Sequence, residues 1–176
     1  VEGLVDGELR FTPRPAGATG SLTVRGVRLP PAVPGGGAFV LERADAALDA
    51  RLAGERVEIV RAELRLPDGT FESAGWVGKD GTLDLRTVAS ADVGALIVRA
   101  RDLGVAPRDL ALAGSLNARV VARREAADPG VGLTIETLAL RGDGVAVDVT
   151  GSVAPDGALD ISTRGDGAIE KLLAAG

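Results

Sequence analysis

The sequence predicts a mainly β protein built from repeated hairpins, with two short helices, and three observations carry that prediction. Apolar and polar residues alternate with a period of two along most of the chain, the pattern of strands with one apolar face. Asp-Gly dipeptides recur at 6, 68, 80, 143, 156 and 166 and punctuate those runs as hairpin turns. One strand–turn–strand unit also returns later in the chain at a constant offset of 76 residues.

The alternation is clearest in Val145-Ala146-Val147-Asp148-Val149-Thr150-Gly151-Ser152-Val153, where the odd positions are apolar or Gly. Pro155-Asp156-Gly157 then turns the chain into a run with Leu159 and Ile161 set against Asp160 and Ser162. Leu22-Thr23-Val24-Arg25 and Leu48-Asp49-Ala50-Arg51-Leu52 read the same way. So do Val57-Glu58-Ile59 and Ala62-Glu63-Leu64-Arg65-Leu66, the latter followed by Pro67-Asp68-Gly69. Leu83-Asp84-Leu85-Arg86 follows Lys79-Asp80-Gly81. Asp6-Gly7 is the exception among the dipeptides, since it falls inside the alternating stretch Val5 to Phe11.

Two segments change period. Ala91 to Leu103 places Val93, Leu96, Ile97 and Ala100 on one helical face, with Ser90 as the expected N-cap. Ile169, Leu172 and Leu173 form a shorter stripe after Asp166. Pro13 to Gly20, Pro30 to Gly37 and Ala126 to Gly130 read as loops.

The offset of 76 lays Val57–Thr87 on Leu133–Thr163 without a gap. Ile59 falls on Ile135, Leu64 on Leu140, Gly75 on Gly151 and Asp80-Gly81 on Asp156-Gly157. Alternation breaks between Ile59 and Ala62 and again between Ile135 and Leu138, which predicts a β-bulge in each copy. The expected organisation is one continuous structural domain: a first β unit over 1–90, a helical connector over 91–104, and a second β unit over 105–176 ending in a short helix. Val1 in place of Met and the Ala/Gly-rich end read as those of a segment of a longer protein, or of a processed chain.

Composition narrows the chemistry. The chain has no Cys and no His, which removes thiol nucleophiles, disulfides, Cys/His zinc sites and imidazole acid–base catalysis. A net charge of −5 with mixed signs gives no basic footprint for nucleic acid. No apolar run approaches a membrane span. Asp156 with Asp160, and Asp80 with Asp84, are the only carboxylate pairs worth weighing, and turn geometry plus a polar strand face accounts for them better. Asp143, Asp156 and Asp166 lack the spacing of a calcium loop, and Gly35-Gly36-Gly37 lacks the Lys-Ser/Thr and helix of a phosphate loop. Trp76 falls on the polar phase of its strand, either packed under the following helix or loop or exposed as a contact. The expectation is a protein that is not an enzyme and uses no cofactor or metal.

The apolar face remains as the candidate site. Aromatics are only 2% of the chain, so that face is aliphatic. Its expected lining is Leu22, Val24, Leu48, Leu52, Ile59, Leu64, Phe71, Val77, Leu83 and Leu85, then Ile135, Leu140, Val147, Val149, Val153, Leu159 and Ile161. Either the face is sealed as a sandwich core or it stays open to an apolar ligand.

The stretch Gly20-Ser21-Leu22-Thr23-Val24-Arg25-Gly26-Val27-Arg28-Leu29-Pro30 resembles the glycine-bounded alternating runs of AsmA/TamB-type proteins of Gram-negative envelopes. Ala91-Asp92-Val93-Gly94-Ala95-Leu96, leading to Gly114-Ser115-Leu116-Asn117-Ala118, is similar to their short inter-sheet helices. The resemblance covers most of the chain through degenerate motifs. It implies a curved, taco-like half-pipe sheet whose concave face is apolar, with the units 1–90 and 105–176 as two trough repeats. It implies a periplasmic location in a protein anchored in the inner membrane outside this segment. The implied partners are phospholipid acyl chains, neighbouring repeats of the same chain and an outer-membrane protein. The alternative class is a structural or adhesive β-sandwich or β-solenoid module of a large surface protein with a closed core. An accessory domain of a polysaccharide enzyme is disfavoured by the scarcity of aromatics.

Overall fold

A computed structural model describes residues 2–29, 39–102, 113–142 and 144–167. They form ten strands and one helix. The strands are β1 (Glu2–Pro13), β2 (Ala16–Leu29), β3 (Phe39–Ala53), β4 (Arg56–Leu66) and β5 (Gly69–Gly78). After β6 (Leu83–Asp92) comes the helix α1 (Val93–Asp102), then β7 (Gly114–Arg124), β8 (Gly132–Gly142), β9 (Val145–Val153) and β10 (Leu159–Gly167). All ten lie in a single antiparallel sheet in the order of the sequence, β1 to β10. The sheet is open, since β1 and β10 each have one paired neighbour among the described residues. The second expected helix, at Ile169 to Leu173, and the expected loop Pro30 to Gly37 lie outside the described residues.

The expected repeat is present in the backbone. Moved by 76 residues, the bounds of β4 become 132 and 142, which are those of β8. β5 and β6 likewise fall on β9 and β10 to within one residue. The two expected bulges occur where alternation breaks, between Ile59 and Ala62 and between Ile135 and Leu138. The turn after each copy is also the same turn. Gly78 N–H donates to Thr82 O at 2.7 Å, and Ala154 N–H to Ala158 O at 2.8 Å. Asp80 Oδ1 accepts from Thr82 N–H at 3.1 Å, as Asp156 Oδ1 does from Ala158 N–H at 3.0 Å.

The bulges have a geometric purpose. Ile59 and Leu64 are five residues apart, so a regular strand would point them to opposite faces. Two residues of β4, Val60 and Arg61, face the single Ala74 of β5, and this extra residue restores both to one face. Gly75, paired with Ile59 at the bulge, has φ +144° and its repeat mate Gly151 has φ +149°. A Cβ at either would stand 2.0 Å from Asp84 O or 2.2 Å from Asp160 O.

Three local expectations are corrected. Pro13 to Gly20 is not a loop: β1 and β2 are joined by a tight turn at Arg14-Pro15, closed by the Thr12 hydroxyl donating to Pro15 O at 3.0 Å. The helix cap is Asp92 and not Ser90, because β6 runs on through Asp92 and pairs Ser90 with Asn117. Asp92 Oδ1 accepts from Ala95 N–H at 2.7 Å, satisfying a donor in the first turn. Asp166 belongs to β10 and pairs with Ala146.

α1 is pinned to the sheet end. Arg99 is hydrogen-bonded and ion-paired with the buried Asp68 carboxylate in the β4–β5 turn. It also donates to Val40 O at 3.1 Å, and Asp92 N–H donates to Asp68 O at 2.8 Å. Arg99 and Arg101 also place positive charge in the last turn of the helix, the favourable sign for its dipole.

Replacing Gly75 or Gly151 with Ala is expected to cost about 2 kcal/mol or more through positive φ and the backbone clash. Gly165→Ala, with no atom nearer than 3.8 Å to its Cβ position, should leave the urea midpoint within about 0.5 kcal/mol of the parent.

Candidate functional site

Register, followed strand by strand, decides which side chains share a face. One row crosses the whole sheet: Leu9, Gly20, Leu48, Ala62, Ser73, Thr87, Val120, Ile135, Gly151 and Ile161 are successive partners. The next row on the same face runs Phe11, Ala18, Ala50, Ile59, Gly75, Leu85, Ala122, Leu133, Val153 and Leu159. A third joins Leu22, Ala46, Leu64 and Phe71 to Ala89, Leu138 and Val149 through Ala118. The rest follow by the same pairing: Val24 with Val5, Leu52 through Val57 with Val77 and Leu83, and Leu140 with Val147. Every residue of the expected lining therefore stands on one face of the sheet.

That face holds no ordinary core. The buried apolar residues are Ala44, Ala50, Ala91, Val93 and Val121, none larger than valine. The large aliphatics stay in contact with solvent: Leu48 is 39% exposed, Leu52 51% and Leu159 71%. Among the described residues no second sheet lies over them. Across β1 to β5 the apolar face bounds a cavity of about 730 Å³, lined by Leu22, Leu48, Leu64 and Phe71 from the expected set. Val5 and Leu9 complete its aliphatic wall. Sequence reasoning left out these two and Leu116, Val120 and Leu138, although the alternation in Val5–Phe11 and Gly114–Arg124 carried the signal.

The opposite face is a lattice of charges. Arg61 bridges Glu72 at 3.1 Å across β4 and β5, and Arg123 bridges Asp84 at 2.9 Å across β6 and β7. Arg141 reaches Asp148 at 2.5 Å across β8 and β9, and Glu136 at the β8 bulge pairs with both Arg86 and Arg119. Such exposed pairs contribute about 0–1 kcal/mol each, so they keep the face wet and in register more than they stabilise it. Beneath β1 to β5 this side has its own depression of about 660 Å³, with Glu8, Arg10, Asp49, Arg61 and Glu72 in its wall. Trp76 lies here, between Glu58 and Asp84 in the register, with the Arg56 guanidinium 5.6 Å from its ring centre.

The acidic residues weighed as catalytic pairs have structural partners. Asp80 accepts from the Thr82 hydroxyl at 2.6 Å, which holds its carboxyl below the ordinary range, and Asp84 is bridged by Arg123. No cluster of three metal-ligating side chains occurs among the described residues. No family model matches the chain, and no curated protein or solved structure matches it.

Asp45 is likewise held below its ordinary value, first by its hydrogen bond from Arg43 and then by that from Thr23. A depressed carboxyl adds stability above the unfolded aspartate range and loses it as pH falls through the folded value. The urea midpoints of the parent and Asp45→Asn should therefore differ at neutral pH and converge under acid conditions. Leu48→Asp tests the open face: its expected cost is below about 2 kcal/mol, against about 3–5 kcal/mol for an unpaired charge in a sealed core.

Proposed function

We propose that this chain is a trough segment of an AsmA/TamB-type envelope protein that carries or contacts phospholipid acyl chains. The observation that supports this best is the aliphatic face running uninterrupted through ten strands, with large side chains left in contact with solvent. At about 4.8 Å per strand, such a face is on the order of 40 Å across. Exposed apolar patches beyond a few hundred Å² on soluble proteins mark sites of interaction.

The chemistry suits acyl chains. Each methylene removed from water gains roughly 0.8 kcal/mol, and aliphatic walls supply that burial without directional partners. A ligand held this way can slide, because no hydrogen bond fixes its position. The bulges at Val60 and Glu136 bend their strands, and in the proposed trough they curve the sheet so that the apolar face becomes concave. The charged face then lies outward toward the aqueous periplasm. In this reading the membrane anchor and the outer-membrane partner belong to other parts of the full-length protein, neighbouring repeats extend the trough, and transport along it requires no cofactor.

Photo-crosslinking tests this with vesicles of phosphatidylethanolamine and phosphatidylglycerol. A photoreactive side chain at Leu48, Val149 or Ile161 should label with phospholipid, and the same group at Thr150 or Ser162 on the charged face should not. Absence of labelling at all three apolar positions, or equal labelling of both faces, overturns the proposal and leaves a structural module in its place.

A further inference from the structure

The two sheet edges complement each other. In the interior, charges on the polar face are met across strand junctions, as by Arg61 with Glu72, Arg123 with Asp84 and Arg141 with Asp148. At the edges that lattice is incomplete. Asp6 on β1, and Asp160 and Arg164 on β10, form no ion pair among the described residues. Arg164 stands opposite Asp148, which Arg141 already holds. Arg10 on β1 is paired only along its own strand, with Glu8 at 2.7 Å. The apolar residues are also most open here, with Val5 at 68%, Phe11 at 73% and Leu159 at 71%.

An even number of antiparallel strands leaves β10 running opposite to β1, so β10 of one molecule can pair antiparallel with β1 of another and continue the sheet. The apolar faces stay on one side only for registers that match parity. One such register sets Leu159 against Phe11 and Ile161 against Leu9. On the polar face it sets Asp160 against Arg10 and Arg164 against Asp6. Sliding two residues one way brings Asp160 onto Glu8, and two residues the other way brings Asp166 onto Asp6. Only the first of these three registers pairs opposite charges without a like-charge contact.

We propose that a second copy of this chain occupies the sheet edge, head to tail, with β10 of one copy hydrogen-bonded to β1 of the next in the register that joins Asp160 to Arg10 and Arg164 to Asp6. The contact is heterologous, so it leaves a free edge at each end and builds open chains of copies. It does not depend on a lipid ligand.

Because the natural chain has no cysteine, the register can be read directly. A chain carrying Leu9→Cys is mixed with one carrying Ile161→Cys and oxidised. A disulfide between the two is expected, and Leu9→Cys mixed with Leu159→Cys, two residues out of register, should give at least about tenfold less. Light scattering across concentration should show growing mass for the parent. Arg10→Asp or Asp160→Arg alone should weaken association by roughly fivefold, and the exchanged pair together should restore it. A parent that stays monomeric, crosslinks that ignore register, or association indifferent to both charge reversals overturns the proposal. The last result would mean that copies associate through their apolar faces.

Discussion

Side-chain parity, kept in step across ten antiparallel strands, is the constraint on which everything else in this molecule rests. A strand has a period of two, so one uncorrected residue would exchange its apolar and charged faces. The sheet meets this demand with turns that fix register and with bulges that correct it. β4 and β8 both carry their first apolar pair out of phase with the later ones, and both absorb the error at the same point. The glycines opposite those bulges accept a backbone conformation and a closeness of approach that a side chain would block.

Once parity holds, the two faces separate their chemistry. Aliphatic residues collect on one side and arginine–carboxylate pairs on the other, with α1 tied to one end through Arg99 and Asp68. The helix covers strand ends rather than a face, and Val93 is its buried anchor. The fold is thus held by backbone ladders and by apolar contacts within a layer, not by two layers closing on each other. Most of the large apolar surface remains available to a ligand.

Much of this was legible from residue order. Alternation located the strands, the Asp-Gly dipeptides at 68, 80 and 156 located turns, and the offset of 76 residues foretold both bulges. The shared face of Leu48, Ile59, Val149 and the others followed from the same parity. Local chemistry misled where two signals overlapped. Pro13, Pro15, Gly17 and Gly20 look like a loop, yet Gly17 and Gly20 lie in β2 where neighbouring backbone comes close. Ser90 and Asp92 both suit a helix cap, and only the length of β6 chooses between them. Whether the face was covered could not be read from alternation, because a sealed sheet and an open one share the same pattern. The edge complementarity was hidden too, since it appears only when the first and last strands are laid side by side.

The position of Trp76 has a practical corollary. With no tyrosine and no other tryptophan in the chain, its indole is the only strong near-ultraviolet fluorophore. It stands beside Arg56 on the charged side, separated by the backbone layer from the aliphatic rows. The protein is therefore optically divided: its intrinsic emission follows the charged face and the β5–β6 corner, while the apolar face carries only phenylalanine as a chromophore. A tryptophan placed at Phe71 would give that side a signal of its own.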